Sequence, residues 1–77
     1  MRYFLLTYDR RRGALISESE YDQTEHQAAM AARASAVAHH IKNPNVEVVL
    51  LGAHSRDDLM RTHSRYFRTI KEIVSAG

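Results

Sequence analysis

Residues 2–8 read Arg-Tyr-Phe-Leu-Leu-Thr-Tyr, an aromatic, β-branched and Leu-rich run that no Gly or Pro interrupts. Neighbouring residues of a strand point to opposite faces, so this run offers Tyr3, Leu5 and Thr7 to one side and Phe4, Leu6 and Tyr8 to the other. A strand bulky on both sides must lie in the middle of a sheet, with a neighbour along each edge. The chain has 77 residues, which is room for one core, so everything else must be arranged around this strand in a single domain.

The flanking sequence supplies the neighbours. Asp9-Arg10-Arg11-Arg12-Gly13 combines a turn-starting Asp with a Gly able to take positive φ, which predicts a hairpin into a second strand over residues 14–19. The end of that strand, Ser17-Glu18-Ser19, is polar and suits a sheet edge. Asp22-Gln23-Thr24-Glu25 is a capping-box pattern and predicts a helix reaching to about residue 42, its larger apolar residues Met30, Val37 and Ile41 lying on one face at i, i+7 and i+11. Asn43-Pro44-Asn45 stops it. Residues 46–51, Val-Glu-Val-Val-Leu-Leu, read as a third strand, closed by Gly52. Ser55-Arg56-Asp57-Asp58 then caps a last helix, expected over residues 56–75, with Leu59, His63, Tyr66, Phe67, Ile70, Ile73 and Val74 forming its apolar side.

The order β-β-α-β-α defines an α+β domain: a three-stranded antiparallel sheet in the order 2-1-3 with two helices packed on it. No repeat, linker or low-complexity segment divides it, and no motif in it is specific to one family.

Composition narrows the function. The absence of Cys excludes a disulfide framework, a thiolate zinc site, an iron–sulfur cluster and a cysteine nucleophile. The first apolar run ends at Asp9 and Arg10, too early for a signal peptide, and no stretch approaches the roughly 20 apolar residues of a membrane span. A soluble cytoplasmic protein without a membrane partner is expected. Nine Arg against two Lys, with abundant Ala, resemble the coding bias of a GC-rich bacterium or its phage. The net charge of +2 permits polyanion binding without requiring it.

Candidate chemistry is sparse. Among the five His residues, His39 and His40 are sequence neighbours that point about 100° apart on a helix, and His26 lies about 21 Å along the axis from His40. A shared metal shell is therefore not expected, and no cofactor is. His63, between Leu59 and Tyr66 on the apolar side of the last helix, suits a core-edge residue better than a pH switch. Ser55, His54 and Asp57 have the residue types of a nucleophile triad, but they stand within four consecutive positions, whereas triads assemble from separate elements; Ser55 as a helix cap accounts for the same residue. The Gly52–Ser55 turn would aim N–H groups at an anion, but Asp57 and Asp58 already occupy that dipole end. The expectation is a protein that is not an enzyme.

Two features suggest binding. Arg10, Arg11 and Arg12 occupy the hairpin tip, and Arg61, Arg65 and Arg68 line the last helix opposite its apolar side; both could contact phosphates of nucleic acid. The competing account is a solvated face on which Asp57 pairs with Arg61 and Arg68 with Glu72. Sheet cover is the second feature. If both helices lie on one side, the other face carries an apolar patch, expected to contain either Tyr3, Leu5, Val49 and Leu51 or their alternates along the strands, and a symmetric second copy would bury it. The alternative is that the last helix crosses over and covers that face within one chain. The leading expectation is thus a homodimeric protein-interaction module, an accessory or regulatory protein; the alternative is a nucleic-acid-binding regulator.

Overall fold

A computed structural model describes residues 1–67. It contains β1 (Arg2–Asp9), β2 (Ala14–Tyr21), a 3-10 turn at Gln23–Glu25, α1 (His26–His39), β3 (Val46–Ala53), α2 (Arg56–Thr62) and a second 3-10 turn at Ser64–Phe67. The sheet runs β2-β1-β3 with both pairings antiparallel, as the two-faced composition of β1 requires.

The hairpin closes as its turn chemistry dictates. Gly13 takes φ of 65°, and its N–H donates to the Asp9 carbonyl at 2.8 Å. The Asp9 carboxylate accepts the Arg11 and Arg12 N–H groups at 2.9 and 3.1 Å. The β1–β2 register slips between Thr7 and Tyr8, which face Ser17 and Leu15, so Ile16 is bulged out and 48% exposed. Before α1, the Glu25 carboxylate accepts the Asp22 N–H at 2.9 Å, the reaching-back half of a capping box. Beyond α1 the Asn43 side chain accepts the Asn45 N–H at 3.0 Å, and Pro44 sits in the turn into β3.

Each face of the sheet carries one helix. Phe4, Leu6 and Tyr8 form a buried cluster with Ala53, Leu59 and Tyr66, joined by Leu15, Val49, Leu51 and Phe67. On the opposite face Leu5 and Thr7 are buried, the Tyr3 ring lies 5.1 Å from His26 at the start of α1, and Ala29 is fully buried. The expectation of an uncovered sheet face is therefore replaced by its alternative, in which the last helical segment crosses over. The physical reason lies in β1, whose two apolar faces both need cover.

The register also separates the residues expected to form one interface. Leu5 stands opposite Leu50 and Tyr3 opposite Gly52, whereas Val49 faces Leu6 and Leu51 faces Phe4. Cross-strand partners share a face, so Tyr3 and Leu5 lie under α1 while Val49 and Leu51 lie under α2. The four residues do not form one patch.

In α1 it is Ala29, Ala32 and Ala36 that face the sheet, while Met30, Val37 and, in the turn beyond α1, Ile41 are 43%, 39% and 74% exposed. Small helical residues opposite the bulky Tyr3, Leu5 and Thr7 let helix and sheet approach closely, and this turns the larger side chains about 100° away. The last helix, expected to be continuous, ends early, at Thr62. His63 has non-helical angles (φ −126°, ψ 45°), and the Thr62 hydroxyl donates to the Asp58 carbonyl at 2.9 Å, a local bond that competes with regular helix. The chain then turns so that Tyr66 meets Tyr8 edge-on at 5.2 Å. Ile70, Ile73 and Val74 lie outside the described residues.

Candidate functional site

Among the described residues both sheet edges belong to strands that pair only with β1, but they differ in chemistry. β2 ends in Ser17, Glu18, Ser19 and Glu20 and carries the bulge at Ile16, which are devices that discourage pairing with another strand. β3, Val-Glu-Val-Val-Leu-Leu-Gly-Ala, has one charge, no bulge to β1 and no Pro. Beside this edge lies the exposed flank of α1. Val37 and Ile41 line a shallow depression of about 270 Å³ together with His40, Pro44, Val46 and Val48. Among the described residues the result is an open apolar strand edge next to an exposed apolar helix flank.

The second surface is electrostatic. β1 and β2 meet at the hairpin tip, where β3 begins and where the Ser64–Phe67 turn arrives. This end gathers Arg10, Arg11, Arg12, Lys42 and Arg65 against Asp9 and Glu47. The opposite end carries Glu18, Glu20, Asp22, Glu25, Asp57 and Asp58 against Arg2, Arg56, Arg61 and the Met1 ammonium, a balance still acidic. Eight-residue strands hold the two ends about 25 Å apart, beyond the roughly 8–10 Å screening length of physiological salt. Each end acts on its surroundings separately.

Glu47 organises the basic end. Its carboxylate accepts from Arg10 Nε at 3.1 Å, Arg65 Nη2 at 2.7 Å and the Tyr66 hydroxyl at 2.6 Å. The Arg65 guanidinium also lies over the Tyr66 ring at 4.6 Å and near the Tyr8 ring at 5.9 Å. Thus Arg10 from the hairpin tip and Arg65 from the last segment, which the sequence presents as separate basic features, converge on one acid. Arg61 goes elsewhere: it pairs with Asp58, one turn away, and not with the expected Asp57. Arg68 lies outside the described residues. Sequence reasoning missed Glu47, although a single carboxylate within an apolar strand was the available signal.

Other candidates resolve locally. Ser55 Oγ accepts the Asp58 N–H at 3.1 Å and caps α2, as expected of a helix cap. Glu18 takes both Arg56 Nε at 2.6 Å and Nη2 at 2.9 Å, tying β2 to α2 by a bidentate pair. The His39 and His40 rings stand edge-on at 4.7 Å. Among the described residues no three metal-ligating side chains converge, and no helix is long and apolar enough to cross a membrane.

The two carboxylates predict an acid response. The Tyr66 hydroxyl, followed by Arg10 and Arg65, holds the Glu47 carboxyl below its ordinary value of 4.5, and Arg56 does the same for Glu18. A depressed folded-state value stabilises the protein above pH 4.5, and that contribution is lost as pH falls through the folded values. Burial and the Glu47 contact raise the Tyr66 phenol above 10.0, so its contribution holds below pH 10 and fades above it. Melting temperatures should therefore fall below about pH 4.5, and Glu18→Gln with Glu47→Gln should flatten that acid limb. An unchanged limb in the double variant would assign acid sensitivity to other groups.

Comparison with known protein families, curated proteins and solved structures finds no match to this chain.

Proposed function

We propose that this protein is a non-enzymatic interaction module that works as a homodimer, joined through the β3 edge and the adjoining flank of α1. The observation that carries this reading is the pairing of an apolar strand edge, uncovered among the described residues, with Val37 and Ile41 exposed beside it and Met30 exposed on the same helical stripe. A lone exposed apolar residue is ordinary, but an edge strand and a helical stripe on the same side form the kind of surface that proteins cover. Charge favours a second copy as the occupant. Two β3 strands paired antiparallel about a twofold axis bring the basic end of one copy beside the acidic end of the other, while the α1 flanks meet across the axis. The sheet becomes six-stranded, and β2, with its acidic and bulged edge, closes both ends.

Light scattering at micromolar concentration tests this. A dimer of twice the 8.8 kDa chain mass is expected. Val37→Glu and Ile41→Glu, both on exposed positions, should convert it to a monomer with unchanged far-ultraviolet dichroism. Met60→Glu, an exposed apolar position on α2, should leave the dimer intact. A native monomer would refute the reading.

A further inference from the structure

We infer that the hairpin end binds the phosphate backbone of duplex nucleic acid, with Arg11 and Arg12 projecting from the tip and Arg10 and Arg65 set behind them on Glu47. This inference does not depend on dimerisation. Three observations carry it. First, the tip is built: Asp9 fixes the Arg11 and Arg12 N–H groups, and the Arg10 N–H donates to the Asn45 carbonyl at 2.8 Å, so the backbone is anchored while the three side chains reach solvent. Little ordering of the backbone is left for binding to impose.

Second, the charge is in excess where the fold concentrates it. One carboxylate, Glu47, serves both Arg10 and Arg65, whose side chains remain 57% and 62% exposed. Among the described residues Arg10 gives Nε to Glu47 and Nη1 to the Pro44 carbonyl at 3.5 Å, and Arg65 gives Nη2 to Glu47, which leaves each guanidinium further donors for phosphate oxygens, and Arg65 lies over the Tyr66 ring. Third, the charge density of the tip selects the ligand. The end is about two strand spacings wide, roughly 10 Å, and a depression of about 480 Å³ lined by Asp9, Arg12, Ala14, Leu15 and Ile16 adjoins it. Duplex nucleic acid offers one negative charge per roughly 1.7 Å of axis, dense enough for every cation on such a tip to meet one. Tyr8 and Tyr66 are 7% and 8% exposed, so their rings are not available to stack on bases. Duplex is therefore favoured over single strand, and contacts confined to the backbone carry no sequence preference.

Fluorescence anisotropy of the full chain with a labelled random-sequence duplex, a single strand of equal length and poly-glutamate, between 50 and 200 mM salt, tests the inference. Micromolar binding to duplex is expected at the lowest salt. Three or four phosphate contacts give a log–log salt slope of about −3 to −4. Arg11→Ala with Arg12→Ala should reduce the slope by about 2 and the low-salt affinity by at least tenfold. Glu47→Gln keeps an acceptor for the Tyr66 hydroxyl but releases Arg10 and Arg65, so it should tighten binding several-fold and steepen the slope by about 1. Glu20→Gln, the same charge change at the far end, should alter affinity by less than about twofold. Equal effects of the two Gln variants would reduce the inference to net charge and overturn it. So would absence of duplex binding at 50 mM salt, or poly-glutamate binding as tightly as duplex. If Glu47→Gln proves unfolded by dichroism, the double Arg variant, altered only at exposed positions, decides the matter alone.

Discussion

Leu59→Ala should destabilise the protein by about 2–5 kcal/mol, the usual cost of emptying a buried Leu site. Leu59 is fully buried, and it is the α2 residue that inserts among Phe4, Leu6, Ala53 and Tyr66. For a domain of this length total stability is roughly 4–12 kcal/mol, so the loss is a large fraction of the whole. The domain has little capacity to absorb it. α2 spans only Arg56–Thr62, too short to persist on its own, and depends on this contact and on the Arg56–Glu18 pair. Urea denaturation should show a lowered midpoint. Amide exchange should show the segment from Arg56 to Phe67 opening first. A change of less than about 1 kcal/mol would mean that this segment does not hold the Phe4 face of the sheet.

Ala29→Leu is expected to cost about 1–3 kcal/mol from the other side of the sheet. Ala29 is fully buried beneath α1, and Leu5 and Thr7 below it are 7% and 2% exposed. Three added carbons have no space there unless the helix lifts. Lifting α1 would expose the β1 face that its Ala residues now cover. Ala34→Leu, at an exposed position of the same helix, is the control, because it adds the same side chain where no packing opposes it. Chemical denaturation of the pair should separate them clearly. Equal stability would show that α1 is not seated on its Ala face.

The sequence alone determined the strand order. β1 is bulky on both sides, and a strand of that kind has one place in a three-stranded sheet. Asp9 with Gly13, Ser55 before its acids, and Pro44 marked their turns and caps because these signals act within a few residues of themselves. What lies across space was not readable in that way. Strand alternation divides β1 and β3 into faces, but only the register determines which halves match. The odd residues of β1 stand opposite the even residues of β3, and this parts Tyr3 and Leu5 from Val49 and Leu51. Periodicity likewise located the stripe of Met30, Val37 and Ile41 without revealing that a face of Ala would win the contact with the sheet. The size of an apolar side chain favours burial, yet closeness of approach over a bulky strand favours the smallest. The same holds for the basic end: Arg10 and Arg65 lie 55 positions apart in the chain and meet only because β3 brings Glu47 between them. Tertiary structure decided the pairings because each depends on the distance between elements, which no local pattern of residues encodes.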